Sequence, residues 1–335
     1  MAELDVLTIG NAIVDIIAQV DEDFLVRHEV RKGSMTLIDA ARAEMLYESM
    51  GPAVETSGGS AANTAAGVVS LGGRGAYIGK VAKDALGTVY TSDIRAQKVR
   101  YETAALEGSA PTARSMILVT PDGERSMSTY LGACMELTPA DIDEALVASA
   151  TVTYFEGYLW DQPSAKEAIR LAARFAHKHD RTMAFTLSDA FCVHRYRDEF
   201  LELMRSGTVD IVFANEAEAL ALYETDDLDL ALARLGQDAG KLALVTRSEK
   251  GCVVVEKDQT FAVPATPVRQ LLDTTGAGDL FAGGFLRGYT AGLSHEDSAK
   301  LGTVAAAHII EQIGPRPQQQ LARLPAAKDI LAGIA

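Results

Sequence analysis

The sequence predicts an α/β fold, with a predominantly parallel sheet between helices and a second, smaller β-rich layer beside it. Three observations carry this. From about residue 140, helix-like segments alternate with short apolar strands, the rhythm of a sheet covered on both faces. Two clusters of small residues, at 57–60 and 273–278, each run into a segment with helical spacing. Three early β-rich pieces, about 12–20, 33–38 and 113–130, fall outside the βα rhythm and are expected to pair with one another.

Taken in order, Asp5-Val6-Leu7-Thr8-Ile9-Gly10 reads as a buried strand. Residues 12–20 are apolar and β-rich, interrupted by Asp15. Ala61, Ala65, Val68 and Val69 place small and apolar residues at helical spacing over 60–71. Ala76 to Gly79 reads as the next strand. Residues 113–119 and 124–130 flank Pro121-Asp122-Gly123, a hairpin signal. Helices are then expected at 139–149, 163–178, 194–205, 215–222 and 227–236, with strands at 151–155, 182–187, 209–213, 241–246 and 251–255. No linker, low-complexity run or internal repeat divides the chain, so 1–335 is expected to be one domain.

Composition narrows the function classes. The chain has 335 residues, 48% hydrophobic and 23% charged, as expected of a soluble globular protein. Its formal charge of −15 repels nucleic acid phosphates and argues against a polymeric nucleic acid partner. Local amides and Mg²⁺ can still outweigh that field for a nucleotide. Cys134, Cys192 and Cys252 form no CxxC pair and read as buried small hydrophobes of a reducing compartment. The His177/His179 pair sits on a polar helix end, where solvation is the better reading. Met1 to Asp5 lacks a basic leader, and no apolar run approaches the ~20 residues a bilayer span needs. A cytoplasmic protein without a membrane partner is expected.

The most informative run is Asp273-Thr274-Thr275-Gly276-Ala277-Gly278-Asp279, followed by apolar Leu280 to Leu286. A small-residue turn leaves backbone N–H groups unpaired at a helix start, where the dipole also favours anions. A carboxylate there would repel a phosphate if its task were binding. It fits if Asp279 takes a proton from an alcohol while the amides of Gly276, Ala277 and Gly278 stabilise a phosphoryl group in transfer. A plain strand-to-helix connection is the alternative for a lone Gly-x-Gly. Gly58 and Gly59 precede the 60–71 helix and allow close backbone approach to a ligand, with Asn63 offering donor and acceptor. Asp15, in an apolar run after Gly10-Asn11, would be costly to bury without partners. A substrate diol, an arginine or a backbone amide would each serve. Asn215-Glu216-Ala217-Glu218 reads as an N-cap with acids in the first turn.

Asp273–Asp279 resembles the C-terminal signature of the ribokinase-like (phosphofructokinase-B) family of small-molecule kinases. Ser57–Ala65 with Gly72–Gly87 resembles its N-terminal signature. The resemblance runs in order over almost the whole chain and implies a ribokinase-like three-layer sandwich, with the early β pieces as a lid. It also implies Mg²⁺-ATP as phosphoryl donor, Asp279 as catalytic base, and Asn11, Asp15, Gly58, Gly59 and Asn63 on the sugar-like part of the substrate. Asn215-x-x-Glu218 resembles the motif that places Mg²⁺ through its waters, which suits an ion that needs few protein ligands. Val245–Gly251 resembles the nucleotide-phosphate turn, usually T-x-G-x-x-G, with Thr246 and Gly251 as contacts. Here Ser248 replaces the first Gly, so that residue either avoids positive φ or changes the phosphate contact. The apolar helix around Ala305 and His308 is a candidate adenine wall; a core or surface role for His308 is equally compatible.

Within the family the likeness is strongest to adenosine kinases. It rests on Gly10-Asn11 through Asp15-Ile16 to Leu25, Tyr154–Tyr158, Ser188-Asp189-Ala190-Phe191 and Phe213–Ala219. Arg125 matches an arginine of their lid hairpin. Phe191 is placed where it could cover a base, or anchor its own loop. Thr186, where relatives often carry Asn, and Leu159, in place of the second residue of an aromatic pair, depart from the pattern. The expected reaction is phosphorylation of the primary hydroxyl of a nucleoside, with adenosine foremost. A carbohydrate kinase acting on ribose, fructose or a related sugar is the alternative. Oligomeric state, monomer or homodimer, and a monovalent cation requirement stay open. Phe281 stands where a G-x-G-x-x-G fingerprint needs a small residue, which disfavours a nicotinamide oxidoreductase. No G-x-x-x-x-G-K-[S/T] run exists for a Walker-type NTPase. Asp279 beside an intact glycine nest argues against a non-catalytic sensor.

Overall fold

The structure, a computed structural model, describes residues 2–108, 110–257 and 259–333. The first half begins with β1 (Leu4–Ile9), β2 (Ile13–Gln19), α1 (Glu22–Arg27), β3 (Met35–Leu37), α2 (Ala40–Ser49) and β4 (Val54–Ser57). It continues through α3 (Ser60–Ser70), β5 (Gly75–Ile78), α4 (Ala85–Ala96), β6 (Arg100–Tyr101) and the hairpin β7 (Ala113–Val119) and β8 (Arg125–Tyr130). Then come α5 (Glu144–Ser149), β9 (Ala150–Glu156), α6 (Pro163–Lys178), β10 (Thr182–Thr186), α7 (Ala190–Arg205), β11 (Ile211–Asn215), α8 (Glu216–Tyr223) and α9 (Leu228–Asp238). The chain finishes with β12 (Leu242–Thr246), β13 (Cys252–Glu256), β14 (Gln259–Val263), α10 (Ala277–Thr290), α11 (His295–Ile309) and α12 (Pro325–Leu331).

Nine strands form the main sheet in the order β14-β13-β12-β11-β10-β9-β1-β5-β6. It is parallel from β12 to β6, and β13 and β14 add antiparallel at one edge. Successive side chains alternate between its two faces. Leu7, Ile9, Phe155, Phe185, Val212 and Val245 pack in one core with α6 to α9. Val6, Tyr154, Ala184, Phe213 and Leu244 pack in the other with α3, α4 and α10. Both faces are therefore covered, which is why these strands read as continuous apolar runs.

Five strands form the second sheet, ordered β3-β8-β7-β2-β4. Val14, Ile16, Ala18, Met116 and Leu118 turn its apolar side into the same core as α2, α3 and α4. The other side carries a polar row, Thr56-Asp15-Ser115-Thr129, in cross-strand register. The expected lid strands 12–20, 33–38 and 113–130 are all in this sheet, joined by β4, a strand the sequence pattern does not announce.

Several boundaries differ from expectation, each for a local reason. One helix over 139–149 is expected; a 3-10 turn at Pro139–Asp141 stops where Asp141 caps Thr138, and Asp143 starts α5 afresh. Helix α7 begins at 190, not 194, because Asp189 accepts the Cys192 N–H as N-cap, and a kink at Tyr196 disturbs the period. Strand β11 lies two residues later than expected, since the Val209 N–H is taken by Leu203 O. The helices α1, α2 and α4 have no strong apolar period, but each opens on an Asp N-cap, Asp21, Asp39 and Asp84. Among the described residues, no helix is long and apolar enough to cross a membrane.

Helices α3 and α10 meet at glycines. A Cβ on Gly283 would lie 2.8 Å from Thr64 O and 3.3 Å from Gly67 Cα; one on Gly67 would lie 2.8 Å from Leu280 Cδ1. Backbone therefore packs on backbone, and nothing larger fits. Gly283→Ala should wedge the helices apart and cost about 1–3 kcal/mol, the scale of overpacking. Chemical denaturation reads this directly. An unchanged midpoint would mean that the crossing has slack.

Candidate active site

Parallel strands bring their C-terminal ends to one edge of the sheet, where α/β folds bind ligands. β1 ends at Gly10-Asn11, β9 at Glu156, β10 at Thr186, β11 at Asn215 and β12 at Thr246. Over that edge lie the start of α10 and the polar side of the second sheet.

Gly276 caps α10 with φ +80°, and a Cβ there would lie 2.7 Å from Pro315 Cβ. Only glycine takes this turn without strain. Among the described residues, the N–H groups of Gly276, Gly278 and Asp279 have no hydrogen-bond partner, while that of Ala277 donates to Thr274 O at 3.2 Å. Of the expected trio of amides, that of Ala277 is taken up within the turn in this conformation. Ala277 closes the turn, and Asp279 contributes its own N–H to the nest. Gly278 faces open space.

The Asp279 carboxylate is half-buried and held from α3. Ser60 Oγ donates to one oxygen at 2.6 Å and Asn63 Nδ2 to the other at 2.8 Å. Burial raises its pKa above the ordinary carboxylate range, against the pull of these hydrogen bonds and of Arg316. Asn63, expected on the substrate, therefore spends its amide N–H on Asp279. Its Oδ1 is buried without a partner.

Asp15 is 9% exposed, and among the described residues no donor reaches its carboxylate. Burial pushes its pKa up to about 7; Arg316 and Arg125 oppose the shift and Asp279 adds to it. A Cβ on Gly58 would strike this carboxylate, so Gly58 makes the room for it. Gly59, at φ +91°, lets α3 start hard against Asn11 O. The Asn11 N–H donates to Glu156 at 2.9 Å, and the Ala61 N–H to its other oxygen at 2.8 Å. Burial pushes Glu156 up to about 7 despite these bonds. Arg125 reaches from the lid to Asp273 at 2.8 Å and to Thr275 Oγ1 at 3.4 Å. Asp273 also accepts the Thr275 and Gly314 N–H groups at 3.0 and 2.8 Å, so the first Asp of the run clamps the loop and the last faces the site.

On the other flank, Asn215 and Glu218 form a reciprocal capping box, at 2.9 Å and 2.8 Å between backbone N–H groups and side chains. Glu218 is buried, its pKa pushed up to about 7 by that burial, and among the described residues no cation pairs with it. Thr246 Oγ1 donates to Ala214 O at 3.4 Å. Ser248 has φ +50°, so it takes the left-handed conformation and does not avoid it. Gly251 has φ +84°, and a Cβ would lie 2.6 Å from Ala265 N. Ala305 is fully buried among Leu71, Leu280 and Leu301. His308 is half-buried, lies 3.2 Å from Gln319 Nε2, and is held below its usual pKa by burial.

Beside Asn11 a small cleft is lined by Leu131, Met135, Tyr158, Leu159 and Gln162. Phe191 is not part of that lining; it is 65% exposed, with the Arg195 guanidinium 4.5 Å over its ring. Thr186 Oγ1 accepts the Ser188 N–H at 3.3 Å, so this Thr closes the turn where relatives often carry Asn. The sequence reading missed Ser60, Glu156 and Arg316. Ser60 was legible inside its glycine cluster, and Glu156 as an acid ending an apolar strand. Arg316 carries no local signal.

The pattern of the pfkB family carbohydrate kinases matches residues 5–321. The chain belongs to this family, and so to the phosphotransferases with an alcohol acceptor, whose membership implies ATP as donor. It is 64% identical to an adenosine kinase from Sinorhizobium meliloti of known structure, at a TM-score of 0.90 over 98% of this chain and 99% of that one. A probable sugar kinase from Rhizobium etli is 60% identical, at a TM-score of 0.91 over 100% of both chains. The adenosine kinase of Saccharomyces cerevisiae is 28% identical over 92% of this chain and 95% of its own.

Asp15 yields a test with a worked sign. Its pKa is higher folded than unfolded, so its stabilising contribution is full below pH ~4 and lost as pH rises through about 7. Asp15→Asn should therefore gain over wild type between pH 5 and pH 8, by about 1–3 kcal/mol, while acceptor KM rises at least about tenfold. Urea titrations at the two pH values measure the first effect. Equal gains at both would show that Asp15 is ionised throughout.

Proposed function

We propose that this protein transfers the γ-phosphoryl group of Mg²⁺-ATP to the primary hydroxyl of a nucleoside, adenosine foremost. The observation that carries the reading is Asp279: a half-buried carboxylate, oriented by Ser60 and Asn63, at the edge of a turn with three unpaired N–H groups. Asp279 would accept the hydroxyl proton as the oxygen attacks phosphorus. The N–H groups of Gly276, Gly278 and Asp279 would hold the equatorial oxygens of the phosphoryl group, whose charge they stabilise without reorganising. Asp15, buried and without a donor among the described residues, would take the ribose hydroxyls, with Asn11 and the Gly58-Gly59 turn alongside. Burial of such a carboxylate is costly alone and is offset when hydroxyls donate to it. Arg125 would close the lid over the phosphates.

Among the described residues no group of three or more His, Cys, Asp and Glu side chains is set to chelate a metal. Mg²⁺ carried by nucleotide phosphates keeps several waters. Glu218, a buried carboxylate with no counter-charge among the described residues, suits hydrogen bonding to such waters. The ion would supply charge neutralisation between donor oxygens. Thr246 and Gly251 would flank the phosphates of the nucleotide.

The nucleoside reading draws support from the 64% identical adenosine kinase. The 60% identical probable sugar kinase keeps a carbohydrate acceptor as the second reading. We read the two sheets as one kinase unit over 1–335, at work in a reducing compartment.

A panel of adenosine, other nucleosides, ribose and fructose, with ADP release as readout, decides the acceptor. Adenosine should give the highest kcat/KM; turnover of a free sugar with none of adenosine would reject the nucleoside reading. Asp279→Asn should bind ATP normally and lose at least about 10²-fold in kcat. In the same assay Glu218→Ala should raise the Mg²⁺ concentration for half-maximal rate several-fold. An unchanged metal titration would reduce the Asn215/Glu218 pair to helix capping.

A further inference from the structure

Arg316 lies outside the helices and strands, after Gly314-Pro315, and is 9% exposed. Its guanidinium fans onto three backbone carbonyls. Nε donates to Ser57 O at 3.1 Å, Nη1 to Ala62 O at 2.5 Å and Nη2 to Gly58 O at 3.3 Å. Ser57 and Gly58 form the turn against Asp15. Ala62 lies in the first turn of α3, between Ser60 and Asn63, the two donors to Asp279. Tyr90 donates to the same Gly58 carbonyl at 3.4 Å.

The adjoining residues grip the other half of the site. Pro315 backs Gly276 so closely that a Cβ there would lie 3.0 Å from Pro315 Cα. The Gly314 N–H donates to Asp273 at 2.8 Å, and Gln312 Nε2 holds Arg316 O at 2.7 Å. One short segment thus touches the acceptor turn, the donors to the base and the anion nest. We propose that Arg316 is a positioning residue for phosphoryl transfer, fixing the Ser57–Gly59 turn and the start of α3 against the segment that backs the anion nest.

A second consequence follows from charge. Among the described residues no carboxylate forms an ion pair with Arg316. Its charge therefore acts on Asp15, on Asp279 and, across the Ser57 turn, on Asp93, favouring the ionised form of each. The groups around Asp15 and Asp279 are Arg125 from β8, Tyr154 and Glu156 from β9, and Tyr158 beyond it. Beside the Ser60 and Asn63 hydrogen bonds, Arg316 is the charge that favours the ionised form of Asp279; Arg125 acts on Asp15 and is already paired to Asp273. A lysine in place of Arg316 would keep the charge and lose the three-way fan.

The inference rests on Asp279 as the base, so Asp279→Asn is assayed beside Arg316→Gln and Arg316→Lys with the acceptor that wild type turns over. Arg316→Gln should raise acceptor KM and lower kcat, each at least about tenfold, leave ATP KM within about twofold, and move the acid limb of the kcat/KM profile to higher pH. The direction follows because losing a nearby positive charge makes Asp279 harder to ionise. Arg316→Lys should return the acid limb toward wild type while acceptor KM stays high. A merely structural role would not separate limb from KM in this way. Wild-type KM and pH profile in folded Arg316→Gln, beside an inactive Asp279→Asn, overturn the inference alone. Wild-type turnover by Asp279→Asn overturns the base assignment and the inference with it. Failure of both Arg316 variants to fold also overturns it, leaving Arg316 a role in stability only.

Discussion

The close crossing of α3 and α10 is the constraint on which the rest of the site depends. Gly67 and Gly283 bring backbone against backbone, with Cβ positions that nothing could occupy. That approach sets the distance from Ser60 and Asn63 on one helix to Asp279 on the other. Both hydrogen bonds are side chain to side chain across more than two hundred residues of sequence. A slightly wider crossing would lose them, since a hydrogen bond weakens quickly beyond its ordinary length. Asp279 is therefore oriented by packing, and its orientation is as rigid as the helix pair.

Electrostatics at the same place works against stability. Asp15, Glu156 and Asp279 crowd one side of the sheet edge, and burial raises the pKa of each. Two arginines offset part of this, one from the lid hairpin and one from the segment after α11. Among the described residues neither arginine makes a direct ion pair with Asp15 or Asp279. Such a site gains when a ligand brings hydroxyl donors and a cation. The unpaired N–H groups at Gly276, Gly278 and Asp279 complete the same logic from the opposite sign. Among the described residues no acceptor meets those N–H groups and no donor meets Asp15.

Much of this was legible before any coordinates. The βα rhythm marked the parallel sheet because strands buried on both faces are apolar throughout. The two glycine clusters marked the starts of α3 and α10, since only glycine tolerates φ +91° at Gly59 and φ +80° at Gly276. The lid strands were legible as β-rich segments out of rhythm. Less visible were α1, α2 and α4, whose signal is an Asp N-cap with little apolar period. Ala305 shows what a sequence leaves open. A small apolar residue on a helix looks the same facing a ligand or facing Leu280 and Leu301.

The sequence by itself determined the family, the layer architecture and the identity of Asp279 and its glycine turn, because local backbone chemistry and period are written in adjacent residues. Tertiary structure alone decided what Asp279 touches, that among the described residues Asp15 has no donor, that Asn63 serves Asp279, and that Arg316 reaches three carbonyls far away in the chain. Those facts depend on which elements are neighbours and how closely they approach. Contact distance is fixed by packing over the whole core, and no local run of residues encodes it.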